Sequence, residues 1–385
     1  MAKLAITGGG RCNITNTFEG VDSLAQVYPR GANLMRKALG RFGWQDCLRW
    51  FRERGVEFTV QPDHCIFPAS QDAMQIVHTL ERELRHGGVK VLCNSKIASI
   101  GQDLSVIPDQ RNSVPQESIP RQQDVIPGLT GNLTPSAIVL TTGGGTSRIL
   151  QRTGIELVPD VPSLFTLKIN DSSLRSLMGT VVDNVSLGLA GTRFRSQGTL
   201  LLTDWGVSGP ATLRLSSYAA RHLADNQYRG TLIINWLDGK EDDARELLDN
   251  LAAGNAGKMI VNCHPAALTD RLWKHLAARA GIRPDCRWAE LGTKGIARFI
   301  NVLISDSYEI KGRARFKEEF VTCGGVSLKE INTETMESRK IQGLYFAGEV
   351  LDIDAVTGGF NLQAAWATAY AAAHAIEKSL TIAEP

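Results

Sequence analysis

Three glycine-rich turns constrain this chain more than any other feature of its sequence. They are "TGGGRCNITN" at Thr7–Asn16, "TTGGGT" at Thr141–Thr146 and "TGGFN" at Thr357–Asn361. The second and third come after "SAIVL" and "GLYFAGE", which are typical of buried strands, and the first follows the short apolar run "KLAI". Glycine lets the backbone approach a ligand closely, and a turn that opens a helix directs free N–H groups toward negative charge. One such turn is usually structural, but three that follow strands favour a nucleotide-sized ligand.

Acidic residues follow the strand predicted at "GLYFAGE". They are Glu349, Asp352 and Asp354. In open α/β sheets, ligands bind beyond the carboxyl ends of the strands, where a carboxylate can accept hydrogen bonds from sugar or ribityl hydroxyls. The same acids could instead cap the next loop or helix, and the sequence leaves both interpretations open.

The chain divides into segments of different character. Helical periodicity predicts helices in 31–58 and over 73–86, with a strand from about Val89. Residues 101–136 are rich in Gln, Pro, Ser and Asn and predict an exposed, mobile excursion. From 161 to 310, strand-like runs with glycine turns precede helical segments, which indicates a separate α+β domain. A helix of small residues is predicted from about Leu362.

Composition narrows the classes of partner. The 42 basic and 40 acidic residues leave a net charge of +2, which gives no reason to expect nucleic acid or an anionic membrane. No stretch predicts a membrane span or a signal peptide, so we expect a cytoplasmic protein. The seven cysteines include no C-x-x-C pair, so neither a disulfide framework nor a metal site is predicted.

The sequence offers little support for other catalytic chemistry. "DWGVSGPA" resembles a nucleophile elbow, but Gly209 and Pro210 follow Ser208 and G-x-S-x-G is missing. "DHC" at 63–65 and "NCH" at 262–264 bring a thiol and an imidazole together only in sequence, and adjacent residues rarely face each other. A hydrolase that uses Ser208 or Cys12 is therefore disfavoured.

Long motifs in this chain resemble those of the BaiN-like flavoproteins. They are "KLAITGGGRCNITN", "SLFTLKI…LLLTDWGVSGPATLRLS" and "FVTCGGVSLKEINTETMESRKIQGLYFAGEVLDIDAVTGGFNLQAAWATAY". The resemblance spans nearly the whole chain and is weakest over 101–136. It implies an α/β fold: a glutathione-reductase-like, Rossmann-type FAD domain at 1–160 and 311–385. An α+β domain with a β-barrel part, at 161–310, interrupts this domain in sequence.

The resemblance also implies which residues contact FAD. The first turn would line the diphosphate and isoalloxazine regions, the second another wall, and the third the flavin ring beside a helix N-terminus. The implied residues are Thr7, Gly8, Gly9, Gly10, Arg11, Cys12, Asn13, Thr142, Gly143, Gly144, Gly348, Glu349, Asp352, Gly358, Gly359, Phe360, Asn361 and Leu362.

The chain departs from the family pattern in two places. Relatives carry a βαβ unit with G-x-G-x-x-G before the first turn, whereas here Gly8-x-Gly10 is followed by Asn13. We therefore expect an incomplete FAD domain, explained by a start codon placed too far downstream or by a true truncation. The intact downstream motifs favour the first explanation. In addition, Ala355 stands where many relatives have Gly.

Taken together, the sequence predicts an FAD-dependent oxidoreductase. The resemblance implies that NAD(P)H reduces the flavin and that hydride passes to or from a small organic substrate. No residue pair identifies a general acid or base, and neither the oligomeric state nor the substrate can be derived. The alternative is a flavin-free remnant that acts as a binding or scaffold module.

Overall fold

A computed structural model of the chain describes residues 1–93, 95–109, 135–145, 148–314 and 321–383. The chain forms two compact units. The first comprises Met1–Asp160 with Thr322–Pro385, and the second comprises Val161–Val321. The sequence placed the second boundary at residue 310, and the structure closes the second unit at Val321.

The helices and strands of the described residues are numbered in chain order. The helices are α1 Ala2–Gly10, α2 Leu24–Val27, α3 Ala32–Leu39, α4 Trp44–Arg52, α5 Ala73–His86, α6 Ser172–Arg175, α7 Pro210–Tyr218, α8 Ala220–Asp225, α9 Glu241–Asn255, α10 Asp270–Arg279, α11 Gly292–Ser305 and α12 Phe360–Ala383. The strands are β1 Thr15–Asn16, β2 Phe58–Val60, β3 Cys65–Pro68, β4 Ile97–Ile100, β5 Val106–Pro108, β6 Ile138–Leu140, β7 Leu157–Ser163, β8 Leu167–Ile169, β9 Val181–Leu189, β10 Arg195–Leu202, β11 Gly206–Ser208, β12 Gly230–Asn235, β13 Asp306–Arg313, β14 Val321–Val326 and β15 Leu344–Phe346.

The first unit contains the two strands that the sequence predicted at "SAIVL" and "GLYFAGE", and the structure pairs them in parallel. Strands β6 and β15 run side by side from Leu344↔Ile138 to Phe346↔Leu140. All three residues of β15 are buried, as expected for an apolar run inside a parallel sheet. Because both strands run in the same direction, the turns at their carboxyl ends lie at one edge of the sheet.

Helix α12 packs closely in this unit because it presents small side chains. Ala364, Ala367, Ala371 and Ala372 are buried, and the helix contacts β15, β1 and α3. Alanine leaves the backbone of a helix close to the surface that it covers, and it has the highest helix propensity. The alanine-rich C-terminal segment therefore forms a long helix that brings its own N-terminus close to the first turn.

A small antiparallel sheet lies beside this region, in the order β1-β3-β2. Helix α4 turns Cys47, Leu48 and Phe51 toward it, at the i, i+1, i+4 spacing of an amphipathic helix. These side chains join Ile14 and Ile66 in one buried cluster. The cluster anchors the chain on both sides of the first glycine turn.

The second unit contains the predicted barrel. Six strands close in the order β10-β11-β8-β13-β12-β9. In β13 buried and exposed residues alternate, which is the pattern of a strand with one face in a core. The buried face joins Leu167, Leu187, Leu200 and Leu232 in a continuous core that also includes α10 and α11. The barrel expectation is confirmed.

Three local expectations differ from the structure. "KLAI" lies in α1 and not in a strand, because a run this short does not distinguish the two and here the backbone bonds locally, with Ala5 N donating to Met1 O. The strand predicted from Val89 begins at Ile97, and Val89 is 52% exposed. Of the predicted 101–136 excursion, 106–108 pairs with β4 as β5 and residues 110–134 lie outside the described residues.

Candidate functional site

The first glycine turn contains three consecutive left-handed residues. Gly8, Gly9 and Gly10 have φ of +57°, +70° and +82°, so only glycine fits there without strain. The turn closes where the Cys12 N–H donates to the Thr7 carbonyl at 2.9 Å. A Cβ atom added at Gly9 or Gly10 would meet no atom within 4 Å, so this backbone faces open space.

Arg11 is the charged residue of this turn. Its guanidinium lies over the ring of Phe67, 4.3 Å from the ring centroid, and its Nε donates to the Gly8 carbonyl at 3.3 Å. A second contact runs to the Gln71 side chain at 3.4 Å. The side chain is exposed, so it remains accessible to an anionic ligand.

The third turn lies directly against the residues that follow the first. The ideal Cβ position of Gly359 is 2.5 Å from the Thr15 carbonyl oxygen and 2.7 Å from Asn13 Oδ1. Once the Asn13 amide is oriented to satisfy both of its polar atoms, it donates to Thr15 O at 2.9 Å and accepts from Gly359 N at 3.2 Å. The Asn16 amide donates to Gly358 O at 3.1 Å. Residues about 345 positions apart therefore form one site.

Helix α12 begins in this contact. Its first intrahelical bond joins Gln363 N to Gly359 O. The N–H groups of Phe360, Asn361 and Leu362 have no acceptor among the described residues, which is the usual state of a first helical turn. The side-chain amide of Asn361 is not available to a ligand. Its oxygen accepts from the Ala355 N–H at 2.9 Å, and its nitrogen donates to the Ala355 carbonyl at 3.0 Å.

Two aromatic residues fix Phe360. The Tyr28 hydroxyl donates to its carbonyl at 2.9 Å, and burial raises the pKa of that hydroxyl far above its ordinary value. The ring of Phe18 packs edge-on to the Phe360 ring, with centroids 5.0 Å apart. The start of α12 is therefore positioned from the side chains of the N-terminal region.

The second turn forms another group with Glu349, at the carboxyl ends of β6 and β15. The ideal Cβ of Gly143 is 3.6 Å from Glu349 Oε2, and that of Gly144 is 2.2 Å from Thr322 Oγ1. Glu349 Oε1 accepts from the Thr322 N–H at 2.7 Å. Lys3 in α1 reaches Glu349 Oε2 at 3.4 Å. The neighbouring Thr142 is exposed.

The other predicted residues beyond β15 have mainly backbone roles in the structure. Gly348 has φ +74° and its N–H donates to Thr368 Oγ1 at 2.9 Å. The Asp352 N–H donates to Val326 O at 3.0 Å, and its side chain is half-buried. Asp354 is fully buried and forms a bidentate ion pair with Arg30. Of the three acids, Asp354 therefore has the structural role that the sequence left open.

The thiols in this region are poor nucleophiles. Burial raises the pKa of Cys12 to about 11, against the opposing hydrogen bond with Thr7. Burial likewise raises the pKa of Cys65 to about 11. Both thiols are protonated at neutral pH, whereas the thiolate is the reactive form. Ser208 lies in barrel strand β11 and pairs with Leu201. These features add to the case against a hydrolase.

Metal-binding clusters and membrane-spanning helices are absent from the described part of the chain. In it, no three His, Cys, Asp or Glu residues are grouped to hold a metal ion. None of its helices combines the length and hydropathy that crossing a bilayer requires.

Comparison with known proteins places this geometry in a family. The model of the HI0933-like protein Rossmann domain matches residues 1–375. The chain belongs to this family. A ribosomal RNA dihydrouridine synthase of Escherichia coli is 28% identical over 374 residues, 96% of this chain and 88% of the relative. The Haemophilus influenzae protein of the same name is 28% identical over 380 residues, covering 98% and 90%.

A third relative carries a different name. The 3-dehydro-bile acid delta(4,6)-reductase of Clostridium scindens is 28% identical over 385 residues, 97% of this chain and 89% of the relative. The resemblance to the BaiN-like flavoproteins is thus confirmed at the level of the family. Membership in the HI0933-like family and the reductase relative support an oxidoreductase of the flavoprotein type. The expectation of no nucleic-acid partner stays a prediction, since two relatives are named for ribosomal RNA.

Sequence reasoning missed several residues that build the site in this member of the HI0933-like family. Asn16 and Arg30 act on residues more than 320 positions away. Gln363 is fully buried, where it accepts from the Thr15 hydroxyl at 2.6 Å and donates to Phe42 O at 3.1 Å. Asn16 and Gln363 both lie inside motifs that carry the family resemblance, but no local pattern indicates which distant residues they contact.

Proposed function

We propose that this chain is an FAD-dependent reductase that adds hydrogen across a carbon–carbon double bond conjugated to a carbonyl group. NADH or NADPH is the source of electrons. The observation that carries the proposal is the direct contact between Asn13–Asn16 and Gly358–Gly359 at the start of α12.

The residues present fit the flavin and ribityl part of FAD. The first turn has backbone facing open space, because Gly9 and Gly10 lack side chains. The first turn of α12 supplies N–H groups that have no acceptor among the described residues. Both features suit an anionic, extended ligand that approaches main chain closely. Glu349 is half-buried beside Gly143, as a residue facing ribityl hydroxyls would be.

The residues assigned to FAD are those of the family resemblance. They form the first turn (Thr7, Gly8, Gly9, Gly10, Arg11, Cys12, Asn13), the second turn (Thr142, Gly143, Gly144), the segment after β15 (Gly348, Glu349, Asp352) and the third turn (Gly358, Gly359, Phe360, Asn361, Leu362). Bound FAD would supply hydride transfer, which protein side chains cannot provide.

The chain's own residues position the start of α12 and stabilise negative charge beside it. The N-terminus of α12 carries partial positive charge that stabilises an anion placed beside it, by typically 0.3–1 kcal/mol. Asn13, Asn16 and Tyr28 hold this helix end in place, so little reorganisation is needed when charge develops. The buried core around Cys12 and Ile14 excludes water from the other side of the turn.

The substrate class follows from the chemistry that the relatives' names share. Dihydrouridine is uridine with its ring double bond saturated, and that bond is conjugated to a ring carbonyl. A 3-dehydro compound with delta(4,6) unsaturation has double bonds conjugated to a ketone. Uridine and the conjugated dienone are both electron-poor alkenes that accept hydride at a carbon conjugated with the carbonyl and a proton at its neighbour. We assign this chain the same kind of acceptor.

The test begins with an absorption spectrum of the purified chain before and after addition of FAD and removal of the excess. We expect a two-band flavin spectrum that bleaches with NADH or NADPH under anaerobic conditions. Reoxidation is then followed with a conjugated enone and, separately, with a uridine-containing RNA. The corresponding saturated compounds serve as controls. A chain that binds no FAD would favour the scaffold alternative, and a reduced flavin that no conjugated acceptor reoxidises would overturn the substrate class.

A further inference from the structure

The second unit contains an open groove that the proposed redox chemistry does not use. It has a volume of about 420 Å³ and lies between the end of α10 and one face of α11. It is lined by the polar residues Arg279, Arg298 and Asn301 and by the small or apolar residues Ala280, Ala297 and Val302. This volume is in the range of small-molecule sites.

Arg279 lines the groove and is held in place by its neighbours. Its side chain contacts Asp306 Oδ1 at 2.6 Å, donates to Ser307 O at 2.9 Å and lies 3.5 Å from Asp171 Oδ2. Its guanidinium also stacks on the ring of Tyr308, 4.3 Å from the centroid. Four neighbours therefore fix an arginine that is still 28% exposed, which lowers the entropy lost when it meets a ligand.

Arg298 and Asn301, which also line the groove, carry donors that remain available to a ligand. Arg298 uses its Nε to donate to Ala280 O at 3.1 Å, which anchors the side chain across the groove. Its two terminal nitrogens, and the Asn301 amide, have no hydrogen-bond partner among the described residues. Because Asn301 follows Arg298 by three positions, both side chains project from the same face of the helix.

The charge balance of the groove favours an anion. The carboxylates of Asp171 and Asp306 offset Arg279, whereas Arg298 has no carboxylate partner in the described part of the chain. Helix α11 contains no Asp or Glu, and Lys294, one turn before Arg298, adds a second cation on this face. The groove therefore combines the positive charge of Arg298 with the apolar surface of Ala280, Ala297 and Val302.

We propose that this groove binds a phosphate group, with Arg298 and Asn301 as the hydrogen-bond donors and Arg279 as a fixed positive charge beside them. A guanidinium fork matches the oxygens of phosphate, and a tetrahedral anion can accept from the Arg298 guanidinium and the Asn301 amide at once. The groove, of about 420 Å³, is larger than one phosphate ion, and Ala280, Ala297 and Val302 give it apolar surface for an organic group attached to the phosphate. Two sources share this chemistry: a free nucleotide phosphate, or a phosphodiester of an RNA strand.

The test is a calorimetric titration of the full 385-residue chain with inorganic phosphate, 2′-AMP and a short single-stranded oligouridine. Arg298→Gln removes the free cation, and Asn301→Ala removes the amide. Arg245→Gln is the matched control, because Arg245 is a helical arginine in the same unit that is 44% exposed and forms an exposed ion pair with Glu241. Near-ultraviolet circular dichroism checks that each variant is folded.

We expect Arg298→Gln to weaken binding by on the order of tenfold or more, as loss of a charged hydrogen bond does, and Asn301→Ala to weaken it by a few-fold. Arg245→Gln should stay within about twofold of the wild type. If Arg298→Gln loses more affinity for 2′-AMP than for oligouridine, the ligand is a free nucleotide. If it loses more affinity for oligouridine, the ligand is the RNA backbone. The proposal is overturned if no probe binds at millimolar concentration, or if Arg298→Gln and Arg245→Gln behave alike. Flavin binding is not part of the readout, so the proposed redox function stands or fails separately.

Discussion

The barrel of the second unit and the glycine-turn region of the first unit are held together by different interactions. The barrel relies on continuous backbone ladders around an apolar core, with Leu187, Leu200 and Leu232 fully buried. The turn region has short strands of two to four residues, and side-chain amides such as Asn13 and Asn16 bond directly to its main chain. Apolar packing tolerates many substitutions of similar volume, whereas a main-chain contact at a glycine tolerates almost none.

The largest effect is expected from Gly359→Val. The side chain would overlap the Thr15 carbonyl and the residue has φ +86°, so the third turn must move away from the first. We expect flavin binding to be lost, as measured by a fluorescence-quenching titration, while the circular dichroism of the barrel persists. Gly257→Ala is the control, since an added Cβ there meets no atom within 4 Å. Stoichiometric FAD in Gly359→Val would contradict the placement of this turn.

The next largest effect is expected from Arg30→Met. Removing the guanidinium leaves Asp354 buried without its bidentate partner, and breaking a buried pair costs about 3–5 kcal/mol of unfolding free energy. Denaturant unfolding followed by the fluorescence of Trp366, after the other tryptophans are replaced, reports on this unit. Lys274→Met removes an exposed pair with Asp270 and should change stability by less than about 0.5 kcal/mol. Equal effects of the two substitutions would remove the special role of the Arg30 pair.

Leu200→Ala tests whether the barrel can lose stability without a loss of affinity for FAD. The side chain is fully buried in the barrel core, so its truncation should lower unfolding free energy by about 2–5 kcal/mol. Affinity for FAD should stay within about twofold at temperatures where the variant is folded, because the assigned flavin residues lie in the other unit. Val181→Ala, at a residue 51% exposed, is the control. A parallel loss of flavin affinity in Leu200→Ala would show that the two regions are not separable.

The smallest effect concerns pH. His275 contacts the Tyr308 hydroxyl at 3.0 Å, and burial lowers the pKa of the imidazole below its ordinary value of 6.5. The unfolded chain therefore binds this proton more readily than the folded chain, so stability is full above pH 6.5 and falls as pH drops toward the folded pKa. His275→Gln should flatten the melting-temperature profile between pH 7 and 5. An unchanged slope would assign the acid sensitivity to other groups.

Much of the local structure could be predicted from the sequence. The glycine turns, helix α5, the long α12 and strands β6 and β15, each by itself, follow from periodicity and turn residues, whereas the parallel pairing of β6 with β15 does not. "KLAI" could not be assigned, because a short apolar run is compatible with a strand or a helix until its hydrogen-bond partners are known. Strand β5 and the start of β4 were also missed, since strand pairing depends on segments that local sequence does not specify.

By itself, the sequence determined the family of this protein, because its long glycine motifs are specific over nearly the whole chain. It also determined the helices and strands whose patterns are local. Only the tertiary structure decided that Asn13 and Asn16 meet Gly358 and Gly359, and that Asp354 is buried against Arg30. The reason is physical: propensity and periodicity act between near neighbours, whereas these contacts form only when packing brings distant segments together and removes water from their polar groups.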